Sequence, residues 1–232
     1  MAIYRNKNSK LDSKLNPLWA IHQECAKREH AKEFKGEWAP YVPTHFIYAF
    51  FTFNTLYNIN WKKSIEDIKY FEGMTEIKKI EKYLGYCCSN EKFLSRYKEF
   101  FIKYIEHHCD IDLMFEELKK IKPDNKINGS LDEDTLEKFI TACERCFTCQ
   151  EFDETILNDI AIYIYKIRCN LFHGVKTLED LQSPSQQIRL DIYSLFIIAI
   201  NQMIFSYKSY QNGEVIGIAK LIEQLEWKQI KL

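Results

Sequence analysis

Arg168 and His173 stand five residues apart in the string IYIYKIRCNLFHGVK, residues 162–176. Histidine has the side-chain pKa nearest neutrality and can give or take a proton at working pH. Arginine is a permanent cation whose planar fork fits phosphate oxygens. Together they suffice to break a phosphodiester without a metal ion or other cofactor, one moving protons while the other steadies charge on the phosphate. Taken by themselves, the same residues fit an ordinary helix end better. Arg168 would pair with a carboxylate, Asn170 would cap backbone carbonyls, and His173-Gly174 would be a C-terminal stop.

Helices must position this pair. Ile156, Ile160, Ile164, Ile167 and Leu171 recur at steps of four, four, three and four, which marks a helix from Asp153 to His173 with one core-facing stripe. At about 100° per residue, Arg168 and His173 diverge by about 140° around its axis. One copy therefore does not focus both side chains on one phosphate. Two copies meeting across a twofold axis would build a cleft lined by both arginines and both histidines, so a homodimer is expected.

The wider string IYKIRCNLFHGVK resembles the R-x4-H signature of the HEPN superfamily, small all-helical domains of which many are endoribonucleases. The resemblance rests on Arg168, His173, Asn170 and the Leu171-Phe172 that precedes His-Gly. It departs at Cys169, where many relatives carry Asn, Asp or His. HFIYAFFTFNTLYN, residues 45–58, is similar to the aromatic first core helix of such domains, with Asn54 as its embedded polar residue. The resemblance implies a composite site in a dimer that cuts RNA by attack of the ribose 2′-OH, leaving a 2′,3′-cyclic phosphate and a 5′-hydroxyl. It also implies a toxin or phage-defence effector, with an antitoxin or other regulatory partner. Arg168 and His173 would be catalytic, and Asn170, Lys176 and Asn54 auxiliary or RNA-binding. Related domains that keep the fold without catalysis leave a second reading open, a helical module that binds RNA, a nucleotide or a protein partner.

With 46% hydrophobic and 15% aromatic residues among 232, the chain holds enough apolar surface for one sizeable core. A net charge of −1 excludes a strongly basic nucleic-acid glove. RNA would then be selected by local contacts and shape, favouring single strands and loops over duplex. The N-terminus MAIYRNKNSK lacks the apolar core of a signal peptide, and the best apolar run, Tyr193 to Phe205, is too short to span a bilayer, so a cytoplasmic protein without membrane contact is expected. The eight cysteines then read as reduced thiols. Cys143, Cys146 and Cys149 have the spacing of a zinc clip, but LEKFITACERCFTC reads as helix, and buried small hydrophobes fit them better than a metal site.

Along the chain we expect helices over Pro17 to Phe34, His45 to Asn58, Phe93 to Ile105 after a Ser89-Asn90 cap, and Leu136 to Cys143 after Ser130 or Asp132. Further helices are expected over Asp153 to His173, Gln186 to Tyr210 and Glu214 to Trp227, with PDNKINGS as a surface loop. Phe46, Phe50, Phe53 and Tyr57, widened by Ile47, Phe51 and Leu56, predict that the first core helix is buried on most sides. The whole reads as one all-α, HEPN-like helical bundle over 1–232, with a helical extension at 1–40 and a helical insertion at 60–150.

Overall fold

The computed structural model describes residues 41–58, 73–122, 132–172 and 183–211, without the side chains of 41–44, 86, 172 and 204–211. The described residues form seven helices and no strand. They are α1 (Tyr41–Asn58), α2 (Glu76–Cys88), α3 (Glu91–His108), α4 (Ile111–Lys119), α5 (Glu133–Phe147), α6 (Glu154–Phe172) and α7 (Pro184–Gln211). The helices expected over Pro17 to Phe34 and Glu214 to Trp227, and most of the PDNKINGS loop, lie outside the described residues.

Local chemistry explains the boundaries. Asn90 caps α3 by accepting from Phe93 N at 3.0 Å, and Asp132 caps α5 by accepting from Thr135 N at 2.8 Å. Asp153 does the same for α6 through Ile156 N at 2.8 Å. Two helices start earlier than the prolines suggested. Pro43 sits in the first turn of α1 and Pro184 opens α7, positions where the missing N–H would have had no intrahelical partner.

The 28 residues of α7, about 42 Å at 1.5 Å per residue, form the central post. Its residues Ile192 through Met203 are buried on every side, as expected of a helix apolar all round. α1, α3, α4 and α6 pack against it, while α2 and α5 cover α6. Buried residues of all seven helices join one core. The segment read as an insertion is thus built into that core: Phe101 of α3 and Phe139 of α5 both meet Phe196 of α7, at 6.0 and 6.1 Å between ring centroids. Asn201 of α7 donates to Ala49 O of α1 at 3.0 Å, a buried polar link between the post and the first helix.

One expectation is corrected. Phe46, Phe50, Phe53, Leu56 and Tyr57 are buried, but Ile47, Tyr48 and Phe51 are 39, 48 and 52% exposed. α1 packs chiefly on α7 and α2, which covers one side of the helix and leaves the Ile47-Phe51 side open. Apolar character says what can be buried, and the packing partners decide which face is.

Candidate functional site

Two contacts set the rotation of α6, and with it the direction of Arg168. Near the C-terminal end, Lys166 reaches Asp132 Oδ2 and Thr135 Oγ1 of the α5 cap, both at 2.5 Å. The hydrogen bond from Lys166 and that from Thr135 hold the Asp132 carboxyl well below the usual range. Nearer the middle, the Tyr163 ring stacks on Phe139 at 3.8 Å and 3°, and its hydroxyl meets that of Tyr193 at 2.9 Å. At the start of α6, Arg145 bridges Glu151 and Asp153 across the turn from α5. With that face fixed against α5, Arg168 faces α1.

There the half-buried Arg168 guanidinium lies over the Phe50 ring, Cζ 5.7 Å from its centroid. A cation on an aromatic face is attracted by the ring quadrupole. Phe50 also meets Tyr165 at 6.4 Å. Arg168 Nη1 lies 4.0 Å from Cys169 Sγ, and Tyr165 is hydrogen-bonded to the Cys169 side chain. Cys169 therefore carries polar contacts of its own. Burial first, and the Cys169 contact second, push the Tyr165 hydroxyl up to about 12.

Asn54 lies one helical turn from Phe50 on α1. Its Oδ1 accepts from the Tyr57 hydroxyl at 2.6 Å. Beyond Tyr57 stands Glu76 of α2, whose carboxylate takes Lys79 Nζ at 2.8 Å and Asn58 Nδ2 at 3.2 Å, while Lys79 also donates to Asn58 Oδ1 at 2.9 Å. Burial works against the Glu76 charge, but the hydrogen bonds from Lys79 and Asn58, with the nearby Tyr57 hydroxyl, prevail and lower its pKa. Desolvation, then Glu76, pushes the Tyr57 hydroxyl far above the phenol range. Arg168, Phe50, Tyr165, Cys169, Asn54, Tyr57, Glu76, Asn58 and Lys79 thus form one continuous cluster.

Of the residues singled out from sequence, the structure brings Arg168 and the Asn54 stripe together. Asn170 is half-buried two residues on, about 200° around the α6 axis from Arg168. His173 and Lys176 lie outside the described residues. Cys143 and Cys146 are buried and Cys149 is exposed beyond the end of α5, so the three do not share one environment. Burial pushes the Cys146 thiol up to about 12 and raises that of Cys143 well above the usual thiol range. Among the described residues no group of His, Cys, Asp or Glu is arranged to hold a metal ion, and no helix is long and apolar enough to cross a membrane.

Sequence reasoning passed over Phe50 as the seat of Arg168, and it passed over Tyr57, Tyr165, Glu76 and Lys79. Tyr165 had a local signal, since it precedes Arg168 and Cys169 by three and four residues and so shares their face. Glu76 had none, because its place beside α1 is a tertiary fact. No protein-family model matches the chain, and neither a curated protein nor a solved structure gives a significant match.

Proposed function

We propose that this chain is a HEPN-like endoribonuclease that cuts RNA without metal as a symmetric homodimer. The observation that carries the reading is the seat of Arg168: a half-buried guanidinium held on the Phe50 ring, near the helix end where the motif continues to His173. A fixed cation is what a phosphate in a charge-building transition state requires, because its orientation is settled before reaction.

In this reading His173 takes the proton of the ribose 2′-OH or delivers one to the departing 5′-oxygen, and Arg168 stabilises charge on the phosphorus oxygens. The 2′-oxygen bonds to phosphorus as the P–O5′ bond breaks, which gives a cyclic phosphate and a 5′-hydroxyl. Asn170 and Lys176 contribute contacts to the RNA backbone. DNA, lacking the 2′-OH, is spared. A toxin or phage-defence role under a regulatory partner follows from the family resemblance. The exposed Ile47, Tyr48 and Phe51 face supports a second reading, a module that binds RNA, a nucleotide or a protein without cutting.

Subunit mixing tests the composite site. Arg168→Ala and His173→Ala homodimers are each expected to be silent. Mixed after dissociation, they should regain a share of wild-type cleavage, because a heterodimer holds one Arg168 from one protomer and one His173 from the other. Exchanged but silent heterodimers would contradict a site shared between copies.

A further inference from the structure

Phe50, Asn54 and Tyr57 follow at i, i+4 and i+7, so they line one face of α1. Arg168 is seated at the Phe50 end of this stripe and Glu76 stands at the Tyr57 end. Phe50 and Tyr57 are buried, while Asn54 between them is part-exposed. The polar member of the stripe is therefore the one a ligand can reach.

A carboxamide has an acceptor on one side and two donors on the other. Tyr57 is buried and keeps its proton throughout the working pH range, so toward Asn54 it acts as donor. Its O–H holds Asn54 Oδ1 at 2.6 Å, which turns the Asn54 NH2 to the opposite side. Glu76 stands near the phenol from a second helix and is itself fastened by Lys79 and Asn58. This geometry differs from that of an ordinary core asparagine, whose amide would be consumed inside the core.

We infer that Tyr57 is a positioning residue: through its one O–H hydrogen bond it orients the Asn54 carboxamide so that its NH2 and the Phe50-seated Arg168 guanidinium form a paired donor site for one phosphate group. The inference rests on the ribonuclease reading for the identity of that phosphate, a backbone phosphate of RNA, but the orientation of Asn54 stands on the contacts alone. Arg168 supplies charge, and Asn54 adds a directed neutral donor one turn away on the neighbouring helix.

Tyr57→Phe keeps the ring, and so its edge contact with Phe53 at 5.1 Å, while it removes the O–H. In RNA cleavage assays, Tyr57→Phe and Asn54→Ala should each lower kcat by about 10- to 100-fold, the range expected for a misplaced contact, with a smaller change in KM. The Tyr57→Phe/Asn54→Ala double variant should be no slower than Asn54→Ala, because Tyr57 acts through Asn54. Full additivity of the two losses would overturn the proposal. A second arm needs no catalysis: in 15N-labelled protein, inorganic phosphate should shift the Asn54 side-chain NH2 signals, assigned by their loss in Asn54→Ala, and the shift should vanish in Tyr57→Phe. If wild type cuts no RNA, the ribonuclease reading falls and this arm alone decides. A shift in wild type that Tyr57→Phe abolishes upholds the positioning role; no shift, or the same shift in both proteins, refutes it.

Discussion

Replacing Arg168 separates a structural arginine from a catalytic one, because the two roles predict effects of very different size. Its contact with the Phe50 ring, 5.7 Å from Cζ to centroid, is worth about 0.5–1 kcal/mol at a partly exposed site. Loss of the packed side-chain stem raises the total for Arg168→Ala to about 1–2 kcal/mol, or roughly 2–8 °C in Tm for a chain of this size. From a starting stability of about 5–15 kcal/mol, such a loss leaves nearly every molecule folded at 25 °C. A purely structural Arg168 would therefore leave turnover unchanged. A guanidinium that meets charge in the transition state is worth about 10²- to 10³-fold in kcat. Arg168→Lys keeps the charge but loses the planar fork, and should fall between wild type and alanine in turnover. Cleavage of a labelled RNA and thermal melts by circular dichroism on the same preparations give both quantities. Wild-type turnover in a folded Arg168→Ala variant, or an Arg168→Ala chain that fails to fold, would refute the reasoning.

Other consequences concern the scaffold. Asp132→Ala removes the α5 cap and the partner of Lys166, and should cost about 1–2 kcal/mol at neutral pH in denaturant titrations. Because Asp132 titrates lower when folded, its contribution is present above the unfolded carboxyl pKa of about 4 and is lost as pH falls through the folded value. The gap between wild type and Asp132→Ala should shrink below about pH 4, and a gap that stays constant or widens there would contradict the ion pair. Asn201→Asp sets a carboxylate against the Ala49 carbonyl oxygen in the α1–α7 contact and should destabilise by about 3 kcal/mol or more, measured the same way; a loss under about 1 kcal/mol would show that the buried link is unimportant. Gly85→Ala places a Cβ 2.6 Å from Glu154 Oε1, the movable end of an exposed side chain, so the helix-propensity gain of up to about 1 kcal/mol should survive. A lower Tm for Gly85→Ala would show that Glu154 cannot swing aside.

What the sequence revealed and what it hid divide along a physical line. Asn90 and Asp132 were legible as caps because capping is settled within four residues, and the Ile156, Ile160 and Ile164 stripe was legible because its period is helical. All-α architecture followed from such local signals. Phe50 looked like core and is core, yet its ring face carries Arg168, a role that depends on how α6 is rotated against α1. Asn54 stood out as polar in an aromatic helix, but the partner that directs it, Tyr57, was hidden among the apolar residues it resembles. Glu76 joins the cluster only through tertiary packing. Ile47, Tyr48 and Phe51 show the converse: apolar side chains that stay 39, 48 and 52% exposed.

Cleavage with EDTA present tests the proposed chemistry most directly. Purified protein would be incubated with one labelled RNA offered as a single strand, a hairpin loop and a perfect duplex, beside a DNA of the same sequence, and the fragment ends identified. Cuts in the strand and the loop that leave 2′,3′-cyclic phosphate and 5′-hydroxyl ends, with duplex cut slowly and DNA intact, are the expected result. Intact RNA, loss of cutting on chelation, cut DNA, or fragments ending in 5′-phosphate would contradict metal-free 2′-OH attack at an Arg168 and His173 site.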